Sequence, residues 1–232
     1  MGNVRAFFFD LGGTLVDVDN FFVSAPTAVA QVLKSKGIEP LDDFVDRFWE
    51  YWSVPGIPRH VETTCLARTQ AMLRKLGAAP KYSLVEEISR RLNELHVKGL
   101  VVEEDALETL SYLRERGYLI GILSNTGFHN AVVSVLEKAK LTSVIDVLVT
   151  SEQVGVRKPH RAIFDLACWL AGAEPPSCAY VGNDPTTDIW GAKNAGWRTV
   201  QRLQSRLKRS PYADFTIKKI SELKKLHNQI FQ

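Results

Sequence analysis

Cysteine is scarce: Cys65, Cys168 and Cys178 are three scattered residues in 232. That excludes a disulfide framework and any zinc spacing pattern. Cys168 and Cys178 fall in apolar surroundings and read as core fillers. No apolar run is long enough to cross a bilayer, and the run 6–9 is cut at once by Asp10, so no signal peptide is expected. Ala6 stands where a myristoylation signal after Met1-Gly2 needs Ser or Thr. There is no internal repeat and no low-complexity segment. The expected setting is the reducing cytoplasm, away from membranes.

Charge of one sign is also lacking. The net charge is +3 and 24% of residues are charged, which gives no ground for a nucleic-acid partner. One local excess exists: Arg202, Arg206, Lys208, Arg209, Lys218, Lys219, Lys224 and Lys225 face only Asp214 and Glu222. It reads as a solvated loop and terminal helix face, with an anionic partner as the lesser reading. Hydrophobic residues at 45% supply a full core without staples.

What is present is alternation. Apolar runs predict strands at 4–11, 118–124, 144–150, 178–181, 198–202 and 215–217. The first four are apolar almost throughout, as strands covered on both faces of a parallel sheet are. Helical spacing predicts helices at 104–116, 128–139, 159–171, 186–195 and 220–230, with Pro159 at the first position of its helix. The fold class is therefore α/β, a doubly wound parallel sheet.

Residues 17–99 interrupt the pattern with helices alone. One is opened by Asp42 or Asp43 and carries Phe44, Val45, Phe48, Trp49 and Trp52 on one face. Another carries Leu84, Val85, Ile88, Leu92 and Leu95, with Ser83 and Glu86 as its capping box. Helices near 21–36 and 61–76 complete an expected four-helix bundle. The division is thus a core of residues 1–16 and 100–232 with a helical insertion at 17–99.

Parallel sheets gather ligands at the carboxyl ends of their strands. The first strand ends in Asp10-Leu11-Gly12-Gly13-Thr14, an acid after three phenylalanines followed by glycines that let backbone N–H groups turn toward an anion. The second ends in Ser124-Asn125-Thr126, a hydroxyl and N–H groups ahead of a helix, suited to an anion or to simple capping. Lys158 stands just before a helix, where it opposes the helix dipole unless it neutralises an anion. After the fourth strand come Gly182-Asn183-Asp184 and Asp188, oxygen ligands of the kind a hard divalent cation takes.

In this order the four segments resemble the motifs of the haloacid dehalogenase superfamily, from residue 4 to about 223. The resemblance implies a Rossmann-like core with an α-helical cap and a magnesium-dependent phosphatase acting on a small phosphorylated metabolite. Asp10 would be the nucleophile, with Ser124 and Lys158 as catalytic partners. Gly13, Thr14, Asn125 and Asp188 would bind phosphate. Asp10, the Gly12 carbonyl, Asn183 and Asp184 would hold Mg2+. Two departures stand out: Gly12 replaces the family's acid–base Asp, and Asn183 replaces an acid. Three readings compete: a phosphatase with an easy leaving group or a substitute acid such as His60 or Glu62, a binding module that keeps the fold, and a dehalogenase or phosphonatase. They are preferred in that order. The dehalogenase reading lacks the Tyr at position 12 and a cap arginine, and the phosphonatase reading needs a Schiff-base lysine for which Lys34 and Lys36 have no special surroundings. Oligomeric state is not legible.

Overall fold

The computed structural model of the chain describes residues 4–204 and 208–230. In chain order the strands and helices are β1 (Ala6–Phe9), β2 (Val16–Asp17), α1 (Asp19–Ser35), α2 (Phe48–Tyr51), α3 (Cys65–Lys75), α4 (Tyr82–Gly99), β3 (Val101–Val102), α5 (Ala106–Glu115), β4 (Leu119–Ser124), α6 (His129–Lys138), β5 (Val147–Thr150), α7 (Ser151–Val154), α8 (Arg161–Leu170), β6 (Cys178–Gly182), α9 (Gly191–Asn194), β7 (Arg198–Arg202), β8 (Phe215–Ile217) and α10 (Leu223–Ile230).

Six strands form one parallel sheet in the order β5–β4–β1–β6–β7–β8. The order reverses at β1, so β1 lies between β4 and β6 at the switch point where such sheets open a crevice. Successive side chains of β1 point to opposite faces. Phe7 and Phe9 join Leu110, Leu113, Val132 and Val135 on one side. Phe8 joins Phe164, Tyr180 and Trp197 on the other. Both faces being covered, the strand needs apolar residues at every position, and β1 is buried throughout.

Local chemistry moved several boundaries. Residues 144–146 do not join β5: Asp146 turns its carboxylate onto the Ile120 N–H (2.9 Å) and pairs with Arg114, so the run enters the sheet only at Val147. Pro159 is not the first residue of α8; His160 caps that helix, its Nδ1 accepting from the Ala162 N–H at 3.3 Å. The capping box of Ser83 and Glu86 does not form, because α4 starts at Tyr82 with Lys81 as its cap. Residues 186–195 split into a wide π turn, Pro185–Trp190, and α9.

Helices α1 to α4 all fall between β2 and β3, which themselves pair antiparallel, Val16 with Val102 and Asp17 with Val101. That small ribbon was not expected from sequence. Two of these helices are short of expectation: α3 begins at Cys65 and not near residue 61, and α2 spans only Phe48–Tyr51. Asp43 bonds Arg47 and Tyr51 instead of opening a long helix, and of the expected face Phe44, Phe48 and Trp52 are buried while Val45 and Trp49 are exposed. These residues pack with Leu33, Met72, Val85 and Ile88 in a cluster that runs onto Phe128 and Ala131 beside and within α6. Of the basic stretch, Arg206 lies outside the described residues. Arg202 is drawn inward, donating to the Thr14 carbonyl at 2.6 Å and pairing with Glu103. No helix among the described residues is long and apolar enough to cross a membrane.

Gly121 of β4 lies beside Phe8 of β1, and a Cβ added there would sit 2.3 Å from the Phe8 ring. Gly121→Ala therefore overpacks the sheet. A loss of about 1–3 kcal/mol is expected, read as a lowered urea midpoint at constant m-value.

Candidate active site

The loops after β1, β4 and β6 converge on one buried amine. Lys158 is 2% exposed, and its Nζ lies 2.8 Å from Asp10 Oδ1, 2.7 Å from Asp188 Oδ1, 2.6 Å from the Tyr180 hydroxyl and 2.9 Å from the Leu123 carbonyl. An ammonium has three protons to give. The assignment that satisfies every group sends them to Asp10, Asp188 and Tyr180, while the Tyr180 hydroxyl donates to Leu123 at 2.7 Å. The backbone of Lys158 is clamped too: its N–H donates to Asn125 Oδ1 (2.8 Å) and its carbonyl accepts from Asn125 Nδ2 (3.0 Å).

Asp10 caps β1 at the wall of a cavity of about 340 Å3 that Gly12, Ser124, Asn125, Asn183 and Asp184 also line. Its second oxygen, Oδ2, has a long 3.5 Å contact from the Thr14 hydroxyl, and the carboxylate also accepts from the Leu11 backbone. Thr14 is fully buried, 3.4 Å from Asn183 Oδ1. Gly13 has φ +76°, and a Cβ there would strike Asn183 Nδ2 at 2.4 Å, so glycine lets the loop after β1 tuck beneath the loop after β6. Gln204 Nε2 holds the Gly13 carbonyl at 2.8 Å. Ser124, 5% exposed, closes β4 opposite Thr150.

Two residues expected at the phosphate are engaged elsewhere. Asp188 is 1% exposed; one oxygen takes Lys158 and the other accepts the N–H groups of Asn183 (3.1 Å) and Asp184 (3.0 Å). It positions the lysine and the loop and has no oxygen left for other work. The side chain of Asn125 is committed to the Lys158 backbone. Asp184 caps the π turn, one oxygen accepting from Thr186 (2.9 Å) and Thr187 (2.6 Å).

Electrostatics follow from burial. Removal from water pushes the Asp10 carboxyl up to about 6, against the pull of Lys158 and with a further push from Asp188. Burial alone would lower the Lys158 amine, but Asp10 and Asp188 outweigh it and hold it above its ordinary value. Tyr180 is raised well above its ordinary value by burial and then by the two carboxylates.

The substitute acids considered from sequence are not in this cavity. Glu62 is buried and bound by Arg68, Arg157 and the Ser151 hydroxyl (2.5 Å). His60 stacks on His160 with ring centroids 5.2 Å apart. The cavity wall does contain His96, which no motif marks. It continues the Ile88, Leu92 stripe at a spacing of four, so its inward direction was legible and its role was not. Burial lowers its pKa to about 4, its Nδ1 has no partner, and its ring stacks on Phe128 at 5.1 Å.

Among the described residues no three His, Cys, Asp or Glu side chains converge as metal ligands. The donors at the cavity are Asp10 Oδ2, the Gly12 carbonyl, and the side-chain oxygens of Asn183 and Asp184. The neighbours of Gly12 are paired with Val16 (Gly13 N–H to Val16 O 2.7 Å, Val16 N–H to Leu11 O 3.0 Å), which leaves the Gly12 carbonyl outside that pairing. An all-oxygen set with one or two carboxylates suits Mg2+, which keeps several waters and shares substrate phosphate oxygens.

The raised Asp10 carboxyl makes a stability prediction. A folded value near 6 against 3.8 means the protonated acid's advantage is complete below about 3.8 and lost as pH rises through about 6. In metal-free buffer, Asp10→Asn should therefore gain melting temperature relative to the unaltered protein between pH 5 and pH 8. A difference that is flat or shrinks over that range would remove the assignment of a buried, strained carboxylate.

Comparison with known proteins supplies the family. A profile of the haloacid dehalogenase-like hydrolases matches residues 4–196. The chain is 28% identical to human N-acylneuraminate-9-phosphatase over 242 aligned residues, covering 99% of this chain and 96% of the relative. It is 27% identical to glyceraldehyde 3-phosphate phosphatase of Methanopyrus kandleri over 216 residues, 91% of this chain and 87% of the relative. Its fold superimposes on 2-haloacid dehalogenase of Pseudomonas syringae with a TM-score of 0.76 at 20% identity, covering 97% of this chain and 99% of that one. At that identity the last match speaks for the fold alone. With the profile spanning most of the chain, the protein belongs to the haloacid dehalogenase-like hydrolases.

Proposed function

We propose that this hydrolase is a magnesium-dependent phosphatase of small phosphate esters, working through an aspartyl-phosphate on Asp10. The observation that carries the reading is Asp10 itself: one oxygen is fixed on Lys158, and the residue lies at the wall of a cavity that Ser124 and Asn125 also line. The phosphatase names of the relatives above support the same class.

In this mechanism Asp10 Oδ2 attacks phosphorus in line as the bond to the leaving oxygen breaks. Water then attacks phosphorus and releases Asp10. Lys158 keeps its proton throughout and aims the carboxylate. The Ser124 hydroxyl and the Asn125 N–H hold the equatorial oxygens as their charge redistributes, while the expected Gly13 N–H is taken by the Val16 carbonyl. Asp10, the Gly12 carbonyl and Asn183 or Asp184 would hold a Mg2+, whose charge would screen carboxylate from phosphate. Residues 17–99, as a cap, close the far wall with Val18, Phe22 and His96.

Gly12 sets the weak point. No carboxylic acid stands where the leaving oxygen needs a proton, and neutral His96 is a poor acid. Esters with good leaving groups are expected to turn over fastest and alkyl phosphates slowly, and a slow or ligand-holding protein is the second reading that Gly12 favours.

Purified protein with Mg2+ should release phosphate from acetyl phosphate and 4-nitrophenyl phosphate, and Asp10→Asn should abolish it. A Cβ at Gly12 meets Val18 at 3.2 Å, so Gly12→Asp asks only a small shift of that side chain. It should raise turnover of alkyl phosphates by about 10²–10⁴-fold. Absence of phosphate release from every ester would leave the ligand-holding reading.

A further inference from the structure

Beside the catalytic cavity lies a larger cleft of about 900 Å3. Asn125, Arg157, Lys158 and Thr187 line both, so the two adjoin at the residues around the lysine. One wall is the loop 53–63; the other is the start of α8 and the π turn with Trp190. The loop is built onto the core by main-chain bonds: Arg157 N–H to the His60 carbonyl (2.8 Å), Glu62 N–H to the Gly155 carbonyl (2.9 Å), and a bridge between Val61 and Val156.

The lining carries Arg59, Arg68, Arg157, Lys158 and Arg161 with His60 and His160, and no carboxylate. The neighbouring acids do not balance it. Lys158 is matched by Asp10 and Asp188, and Arg161 turns to Asp165 on the outside. Arg68 and Arg157 share the single Glu62 beneath the floor. Arg59 has no carboxylate partner among the described residues. On the cleft side, Arg59 and one charge of the shared pair are thus unmatched, while the surplus carboxylate at Lys158 lies on the side of the catalytic cavity. The two cleft-side charges sit beside Trp190, which is 38% exposed, and Ile57. A cleft of this size takes a sugar-sized group, and clustered arginines with spare donors favour an anion.

We propose that this cleft receives the leaving group of the substrate, and that the group it takes bears a carboxylate remote from the phosphate. The substrate class is thus a phosphorylated polyhydroxy acid. The proposal rests on the phosphatase reading for its catalytic half, while the cleft's selectivity is measurable without turnover.

The matched probes are 6-phosphogluconate and sorbitol 6-phosphate, which differ in a terminal carboxylate against an alcohol. With Mg2+, kcat/KM should favour the acid at least about tenfold, the size of one charge-assisted hydrogen bond, with the difference in KM. Arg59→Gln should cut that preference to below about threefold and Arg59→Lys should restore most of it; added salt should erode it. Calorimetry with Asp10→Asn should give the same preference as a ratio of dissociation constants. Equal kcat/KM or equal dissociation constants for the two probes overturn the proposal, as does a preference that Arg59→Gln combined with Arg161→Gln leaves intact. Selective binding of the acid with no phosphate release from either probe, or from acetyl phosphate, supports the cleft and removes the phosphatase reading instead.

Discussion

A lysine amine sealed from water must be surrounded by acceptors, and around Lys158 that requirement organises the molecule. A buried charge without partners costs several kcal/mol, so the carboxyl ends of β1, β4 and β6 each contribute an acceptor. Asp10 comes from the first, the Leu123 carbonyl from the second, and Tyr180 with Asp188 from the third and the turn beyond it. The cluster holds one cation against two carboxylates, an excess of one negative charge in a dry place. The two carboxylates keep Lys158 charged, while burial first and the second carboxylate next make Asp10 reluctant to ionise. An incoming cation or a proton relieves the excess, which is the condition a nucleophile used beside a metal-bound phosphate would need.

Much of this was legible in the residues. The burial of β1 on both faces follows from Phe7, Phe8 and Phe9 in a row; Asp10, Ser124 and Asp184 line one cavity from their places at strand ends, and Lys158 joins them from its place before a helix. What could not be read was the direction in which polar side chains turn. Asp188 and Asn125 sit where a phosphate ligand belongs, yet neighbouring backbone groups one turn or one loop away claimed them first. Sequence spacing places a residue near a site; the competition among nearby donors decides what its oxygens do. The same competition shortened α2, where Asp43 found Arg47 and Tyr51, and delayed β5, where Asp146 found Ile120.

The helical segment shows a different limit. Its core residues were recognisable by period, but its attachments to the sheet are main-chain bonds with no side-chain signature. The pairing of β2 with β3 and the bridge of Val61 with Val156 involve residues that any apolar strand or loop could carry. Glu62 looked like a free acid in sequence and is a buried tie between segments.

Those attachments have a mechanical meaning. The two roots of the helical segment are tied to each other by the β2–β3 ribbon, and its middle is tied to the core by Val61 on Val156 and by the Cys65 N–H on the Gly127 carbonyl. A swing of the segment about its roots would have to break the peptide hydrogen bonds at its middle. The loop 53–63 then acts as a jamb whose position those bonds set.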